Sequence, residues 1–176
     1  MLRHLSTHLQ DDILLLPNKI KRTARVLILK CNNSDLQYYA LWQHKKHKGI
    51  NRLVLPGGQI QISLSEHGEI KQEKVIATAI RETLEEISVA ELNLKYYLGA
   101  YSRNMAHKGG YKHTYLFIGR IKGKPKVKET DKFDSKHSSF YPLATINKYP
   151  HAPHLQWVYK QYKKGGLDRP ISRFIS

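Results

Sequence analysis

The sequence predicts an α/β (α+β) fold in which a central mixed β-sheet carries helices on its faces. Three observations predict it. Short β-branched, apolar or aromatic runs recur between turn residues; one segment in mid-chain and one near the end switch to helical spacing; and the two patterns are interleaved rather than segregated. A four-helix bundle or a pure β-sandwich fits this order worse. At 176 residues the chain suits one domain with a proper core and is short for two, so residues 1–176 are read as a single unit with its core at 23–165.

In chain order, Thr23 to Lys30 is a β-branched apolar run of the kind a buried strand needs, and Asn32, Asn33 and Ser34 supply a turn after it. Leu36 to Gln43, rich in Tyr, Leu and Trp, pairs back as a hairpin. A basic loop from His44 to Gly49 leads to a short strand, Arg52 to Leu55, which Pro56, Gly57 and Gly58 end. From Gln72 to Ile87 the residues Val75, Ile76, Ala79, Ile80, Thr83, Leu84 and Ile87 recur at helical spacing, a stripe suited to packing on a sheet. Leu92 to Tyr101 and Tyr111 to Ile121 read as two long antiparallel strands joined by a loop, Ser102 to Gly110. Lys122 to His137 is polar and unpatterned, Phe140 to Leu143 is a short strand, and His154 to Lys164 has the pattern of a terminal helix.

Hydrophobic residues make up 40% of the chain. No run approaches the roughly 18 to 20 continuous apolar residues of a membrane helix, so a membrane partner is not expected. Met1 to Gln10 lacks the apolar core of a secretory or organellar signal, and the single cysteine, Cys31, fits a reducing, cytoplasmic compartment. Thirty Lys and Arg against fourteen Asp and Glu give a formal charge of +16, concentrated in Lys19 to Arg22, His44 to Lys48, Lys122 to Lys128 and Lys160 to Lys164. One such cluster is commonly a solvated surface; four together favour a polyanionic partner.

The scarce acids are bunched. Glu66, Glu69, Glu73, Glu82, Glu85 and Glu86 fall within 21 consecutive residues. On the helix, Glu82, Glu85 and Glu86 stand at i, i+3 and i+4, so they project from one side within about one turn. Hard oxygen ligands at this density suit Mg²⁺ or Mn²⁺ rather than zinc. Arg81, four residues before Glu85, offsets part of the repulsion and can orient a carboxylate. Taken alone, Arg-Glu-x-x-Glu-Glu is more often a solvated helix face. The upstream Pro-Gly-Gly turn changes the weight of the pattern, because glycines let the backbone approach a metal or phosphate closely.

With these residues in place the chain resembles the Nudix hydrolase family, whose signature runs G-x5-E-x7-R-E-U-x-E-E-x-G-U with U aliphatic. Glu73, seven intervening residues and then Arg81-Glu82-Thr83-Leu84-Glu85-Glu86-Ile87-Ser88-Val89 follow its second part, and Leu55-Pro56-Gly57-Gly58 is similar to its strand end and glycine turn. Phe140-Tyr141-Pro142-Leu143 resembles the family's late aromatic-x-Pro-Leu segment, so the likeness spans residues 23–143. It implies a MutT-like α/β/α sandwich.

There are three departures. Fourteen residues rather than five separate Gly58 from Glu73, an insertion of nine. Within it Glu66-His67-Gly68-Glu69 imitates the usual Glu-x-Gly-Glu, which leaves Glu69 as well as Glu73 in view for the first signature glutamate; the spacing to Arg81 favours Glu73. Ser88 stands where glycine is usual, a position where glycine is preferred for positive φ but not demanded if the chain leaves the helix differently.

The resemblance implies an Mg²⁺- or Mn²⁺-dependent pyrophosphohydrolase. Glu85 and Glu86 would bind the metal, Glu82 would bind it or help activate water, and the Gly58 carbonyl would add a ligand. Arg81 and Glu73 would orient the set, with Glu73 also counted among the metal-site residues. The acids Glu129, Asp131 and Asp134 offer a general base outside the box, although each is more often a solvated loop residue. The resemblance implies a nucleotide-derivative substrate: a nucleoside triphosphate, a dinucleoside polyphosphate, ADP-ribose or an RNA 5′ end. The charge tilts this toward RNA or a polyphosphate. Tyr38, Tyr39, Trp42, Tyr96, Tyr97, Tyr101, Tyr111 and Tyr115 offer stacking surfaces, though strand aromatics more often pack the sheet.

Two rivals stand beside this reading. A catalytically silent Nudix-shaped module binding RNA or a protein is favoured by the insertion, by Gln61 in the Gly-Gly-x-x-Glu position and by Ser88. It predicts salt-sensitive RNA binding without turnover. A histidine metal site at His44 and His47, or at His151 and His154, has the spacing but no adjoining cysteine or acid.

Overall fold

Continuous apolar runs on the central strands, and a helical stripe on each of two segments, build two apolar layers on opposite faces of one sheet. The computed structural model of the chain describes residues 20–32, 37–47, 49–64, 66–67, 69–105, 110–124 and 138–168. Its strands are β1 (Ile20–Asn32), β2 (Gln37–His47), β3 (Ile50–Val54), β4 (Gly57–Gln59), β5 (Ile62–Leu64), β6 (Ile70–Gln72), β7 (Glu91–Met105), β8 (Gly110–Lys122) and β9 (Ser138–Pro142). Helix α1 (Val75–Ile87) lies between β6 and β7. A 3-10 helix (Leu143–Lys148) and α2 (Pro153–Lys163) follow β9.

The main sheet runs β3-β2-β1-β8-β7, with β4 paired to β1 and β9 to β2. Strands β1 and β8 are parallel, with Ile20 opposite Tyr111 and Ile28 opposite Gly119. The hairpins β1-β2 and β7-β8 are antiparallel, as the sequence predicts, so the sheet is mixed.

Ala24, Val26 and Ile28 of β1 meet Val75, Ala79 and Ile87 of α1 on one face. Leu27 and Leu29, one residue out of phase, meet Leu155 and Val158 of α2 on the other. The period of two on a strand therefore sorts one run into two cores, which is the expected α/β/α layering. Among the described residues no helix is long and apolar enough to cross a membrane.

Several boundaries differ from the sequence reading. Ser102 to Met105, expected in a loop, extend β7 opposite Gly110 to His113. Pro56 does interrupt the chain, but Gly57 and Gly58 re-enter the sheet as β4, because glycine alone tolerates the close approach to β1 found there. The basic segment beginning at His44 is not a loop at its start; β2 continues to His47, paired with β3. Helix α1 begins at Val75 rather than Gln72, since Ile70–Gln72 is taken up by β6 and Lys74 is extended. The 3-10 turn after Pro142 was not anticipated; Thr145 Oγ1 closes it by donating to the Pro142 carbonyl at 2.8 Å.

Candidate active site

Gly57 and Gly58 form the floor of the site. Gly57 has φ +125°, and a Cβ there would overlap the Ala24 carbonyl oxygen and come within 2.9 Å of Arg25 Cα on β1. The Gly57 amide, turned toward α1, donates to Glu86 Oε2 at 2.8 Å. At Gly58 a Cβ would occupy the space of the Glu82 carboxylate. The missing side chains thus create a cradle into which α1 lowers two acids.

Arg81 organises the remaining carboxylates. Its Nε donates to Glu73 Oε1 at 2.8 Å and its Nη2 to Glu73 Oε2 at 2.9 Å, a bidentate fork. Its Nη1 lies 2.9 Å from Glu82 Oε1 and 3.2 Å from Glu85 Oε2. One planar guanidinium therefore holds three glutamates of the acidic cluster.

The charges respond accordingly. The Arg81 hydrogen bond is the main cause that holds the Glu73 carboxyl down at about 2, and the fork in turn raises the arginine. Glu82 is pushed upward, first by burial and then by Glu86 and Glu85, with Arg81 opposing. A carboxylate crowded by others and only partly relieved by one arginine is a place where a cation is favoured.

The insertion leaves this geometry intact. Ile62–Leu64 and Ile70–Gln72 pair as a small antiparallel hairpin, with Ile62 opposite Gln72. At its base the Glu73 amide donates to the Gln61 carbonyl at 2.9 Å. The extra residues loop outward and return the chain to where it left. Glu73, not the exposed Glu69, is the residue that Arg81 clamps. The mouth is an open cleft of 610 Å³ between β4, the hairpin and α1, lined in part by Gln59, Gln61, Lys71, Glu73 and Glu82.

At the far end of α1, Ser88 takes the left-handed conformation, φ 47° and ψ 51°, and its amide closes the last turn on the Leu84 carbonyl at 3.0 Å. The helix thus ends in the geometry glycine would adopt. The chain does not leave the helix differently; serine itself takes the left-handed conformation that glycine is preferred for.

These residues fit a hard divalent ion in chemistry and in the cradle at Gly58. Glu82 and Glu86 reach the diglycine turn, while Glu85 is turned to Arg81. Among the described residues no three His, Cys, Asp or Glu side chains already converge on one point, since Arg81 draws Glu85 and Glu73 to itself. Residues Glu129, Asp131 and Asp134 lie outside the described residues, as do the side chains of His44, His47, Tyr38, Tyr39 and Trp42.

Of the remaining aromatics, Tyr96 and Tyr101 pack against the core under α2 and Tyr97 against the core under α1, 5.3 Å from Phe117. Tyr115 is buried. These are sheet packing rather than one stacking platform, and Tyr111 is exposed. His154 of the pair His151 and His154 feels the cations Arg25 and Lys112, surroundings that disfavour a bound metal ion.

Sequence reasoning gave no role to Arg25 or Lys112 and weighed His154 only as a metal ligand beside His151. The available signal was Arg25, the one charge in the apolar run from Ala24 to Leu29.

The NUDIX domain model matches residues 21–162. Among solved structures, the E. coli ORF135 protein is similar at 15% identity and TM-score 0.61, over 86% of this chain and 94% of that one. The MutT protein from Methanosarcina mazei Go1 is similar at 14% identity and TM-score 0.60, over 86% and 99%. A NUDIX hydrolase from Nitrosomonas europaea is similar at 18% identity and TM-score 0.57, over 84% and 90%. No curated protein matches the sequence.

Proposed function

Because the chain belongs to the Nudix family, we propose that it is a pyrophosphohydrolase that uses Mg²⁺ or Mn²⁺. It cleaves a phosphoanhydride bond of a nucleoside diphosphate joined to another moiety: a nucleotide, a second nucleoside through a polyphosphate, ADP-ribose or an RNA 5′ end. The observation that carries this reading is the meeting of Glu82 and Glu86 with the Gly57-Gly58 turn, braced by the Arg81–Glu73 fork. A solvated helix face has no reason to set its acids into a glycine cradle. A cytoplasmic location goes with this reading and is supported by the lone Cys31.

Glu85 and Glu86 would hold the metal in this reading, with the Gly58 carbonyl as a further ligand. Glu82 either joins them or accepts the proton of the attacking water. When bound, a divalent ion would supply charge to offset the pyrophosphate oxygens and make the attacking water easier to deprotonate. Arg81 positions the glutamates, and Glu73 fixes Arg81 from the opposite side. The fork leaves Arg81 one nitrogen, Nη1, for Glu82 and Glu85.

Turnover of a nucleotide panel with Mg²⁺, followed by phosphate or pyrophosphate release, tests the reading. Glu85→Gln and Glu86→Gln should each lower the rate by orders of magnitude with the fold intact, because a neutral amide is a poor ligand for a hard cation. Near-full activity in both variants would refute it. Absence of turnover in the wild type, together with salt-sensitive RNA binding, would instead support the silent module.

A further inference from the structure

The sheet face beneath α2 carries positive charge that the acidic cluster does not explain. Arg25 alternates with Leu27 and Leu29 and so lies on that face. Its Nη1 donates to the Leu55 carbonyl at 2.8 Å, while its Nε is buried with no hydrogen-bond partner. His154, in the first turn of α2, is 6% exposed, and its Nε2 is likewise buried and unpartnered.

Strand register adds to the charge. Lys112 of β8 stands opposite Lys21 of β1 on one side and Arg103 of β7 on the other, a cationic row across three strands. Two residues further along, the hydroxyls of Thr23 and Thr114 are hydrogen-bonded at 3.0 Å.

Each of these groups feels the others. Burial, then Arg25, Lys21 and Arg103, lower the Lys112 amine to about 8. Burial, then Arg25, Lys112 and His151, depress His154. Burial also lowers Arg25, against the attraction of Glu86 and Glu82, which places this cationic face within electrostatic reach of the acidic cluster. The buried Arg25 Nε lacks an acceptor and Lys112 is crowded by Arg25, Lys21 and Arg103; each is costly, and one bound anion relieves both.

We propose that Arg25, Lys112 and His154 form a pocket for a phosphate group of the substrate, one that lies beyond the anhydride being cleaved, with Lys21 and Arg103 at its rim. The substrate it selects has an extended phosphate chain rather than a bare diphosphate linkage. The naming of substrate rests on the hydrolase reading; the anion pocket itself does not.

Inorganic tripolyphosphate, titrated calorimetrically in EDTA, tests the pocket. Lys112→Met should weaken binding at least tenfold with little change in melting temperature. Lys163→Met removes the same charge at the exposed C-terminal end of α2, and it should weaken binding less than threefold. Glu86→Gln should not weaken it. Equal losses in Lys112→Met and Lys163→Met would overturn the proposal.

His154→Ala serves as the second pocket variant and should also weaken binding at least threefold; unchanged binding there counts against the pocket. With Mg²⁺, Lys112→Met should raise KM for a triphosphate chain and leave ADP-ribose unaffected. A loss seen with a nucleoside triphosphate assigns the chain to a nucleotide, and one seen only with a 5′-triphosphorylated oligonucleotide assigns it to an RNA end. No loss with either overturns the selectivity. If no substrate turns over but the tripolyphosphate difference persists, the hydrolase reading fails and the pocket stands.

Discussion

Gln61 and Glu73 are twelve residues apart and hydrogen-bonded to each other twice. The Glu73 amide donates to the Gln61 carbonyl at 2.9 Å, and the Gln61 amide donates to Glu73 Oε2 at 3.3 Å. Everything between them is a side excursion. The glutamate that braces Arg81 is consequently set by the base of the hairpin and not by its length.

Shortening the excursion should therefore be tolerated. Deleting residues 63–71 joins Ile62 to Gln72, which already face each other across the hairpin. Gln72 is retained, and with it the 2.7 Å hydrogen bond from Arg22 Nη1. The expected change in stability is about 1 kcal/mol or less, because loop-closure entropy varies slowly with length. Denaturant unfolding checks this, and a collapse of the fold would show that the hairpin itself packs the site.

The two glycines of the turn should fail differently. Gly58→Ala meets the end of a flexible side chain, so Glu82 can move aside. The melting temperature should change by only a few degrees, while Mg²⁺-dependent turnover falls by at least tenfold. Gly57→Ala meets backbone atoms of β1 at φ +125°. It should cost roughly 2 kcal/mol or more and lower the yield of folded protein. Circular dichroism melts beside an activity assay separate the two outcomes.

Ser88→Gly should stabilise the protein. Ser88 holds φ 47°, and its Oγ is buried with no hydrogen-bond partner. Removing the Cβ from a left-handed position gains about 1 kcal/mol, and deleting an unsatisfied hydroxyl adds to it. An unchanged or lower unfolding midpoint would contradict the strain read from this helix end.

Acid should dissolve the Arg81–Glu73 fork. Glu73 falls from an ordinary 4.5 to about 2 in the folded chain. Its contribution is therefore fully present above about pH 4.5 and is lost as pH falls through about 2, below which both states are protonated. After allowance for solvent screening the effect is on the order of 1 to 2 kcal/mol. Glu73→Gln should flatten that part of the stability profile, measured by melting from pH 2 to 6.

Anion binding at the second site should weaken from the alkaline side. Lys112 is lowered to about 8, so its charge is present below that pH and lost above it. Tripolyphosphate affinity should fall as pH rises from 7 to 9, and Lys112→Arg should carry the falloff to higher pH, since a guanidinium stays charged. A pH-independent affinity across that range would remove Lys112 from the pocket.

The sequence by itself determined the layers of the fold and the acidic helix. The alternation through Ala24, Val26 and Ile28 against Leu27 and Leu29, and the i, i+3, i+4 spacing of Glu82, Glu85 and Glu86, are local periodicities, and local periodicity is what a chain displays before it folds. Tertiary structure decided which partners those residues meet. That Gly58 yields its space to Glu82, that a nine-residue insertion closes on itself beneath Glu73, and that Arg25, Lys112 and His154 from β1, β8 and α2 assemble into one charged face all depend on strand register and helix docking. Contacts between residues far apart in the chain leave no period in the sequence to read.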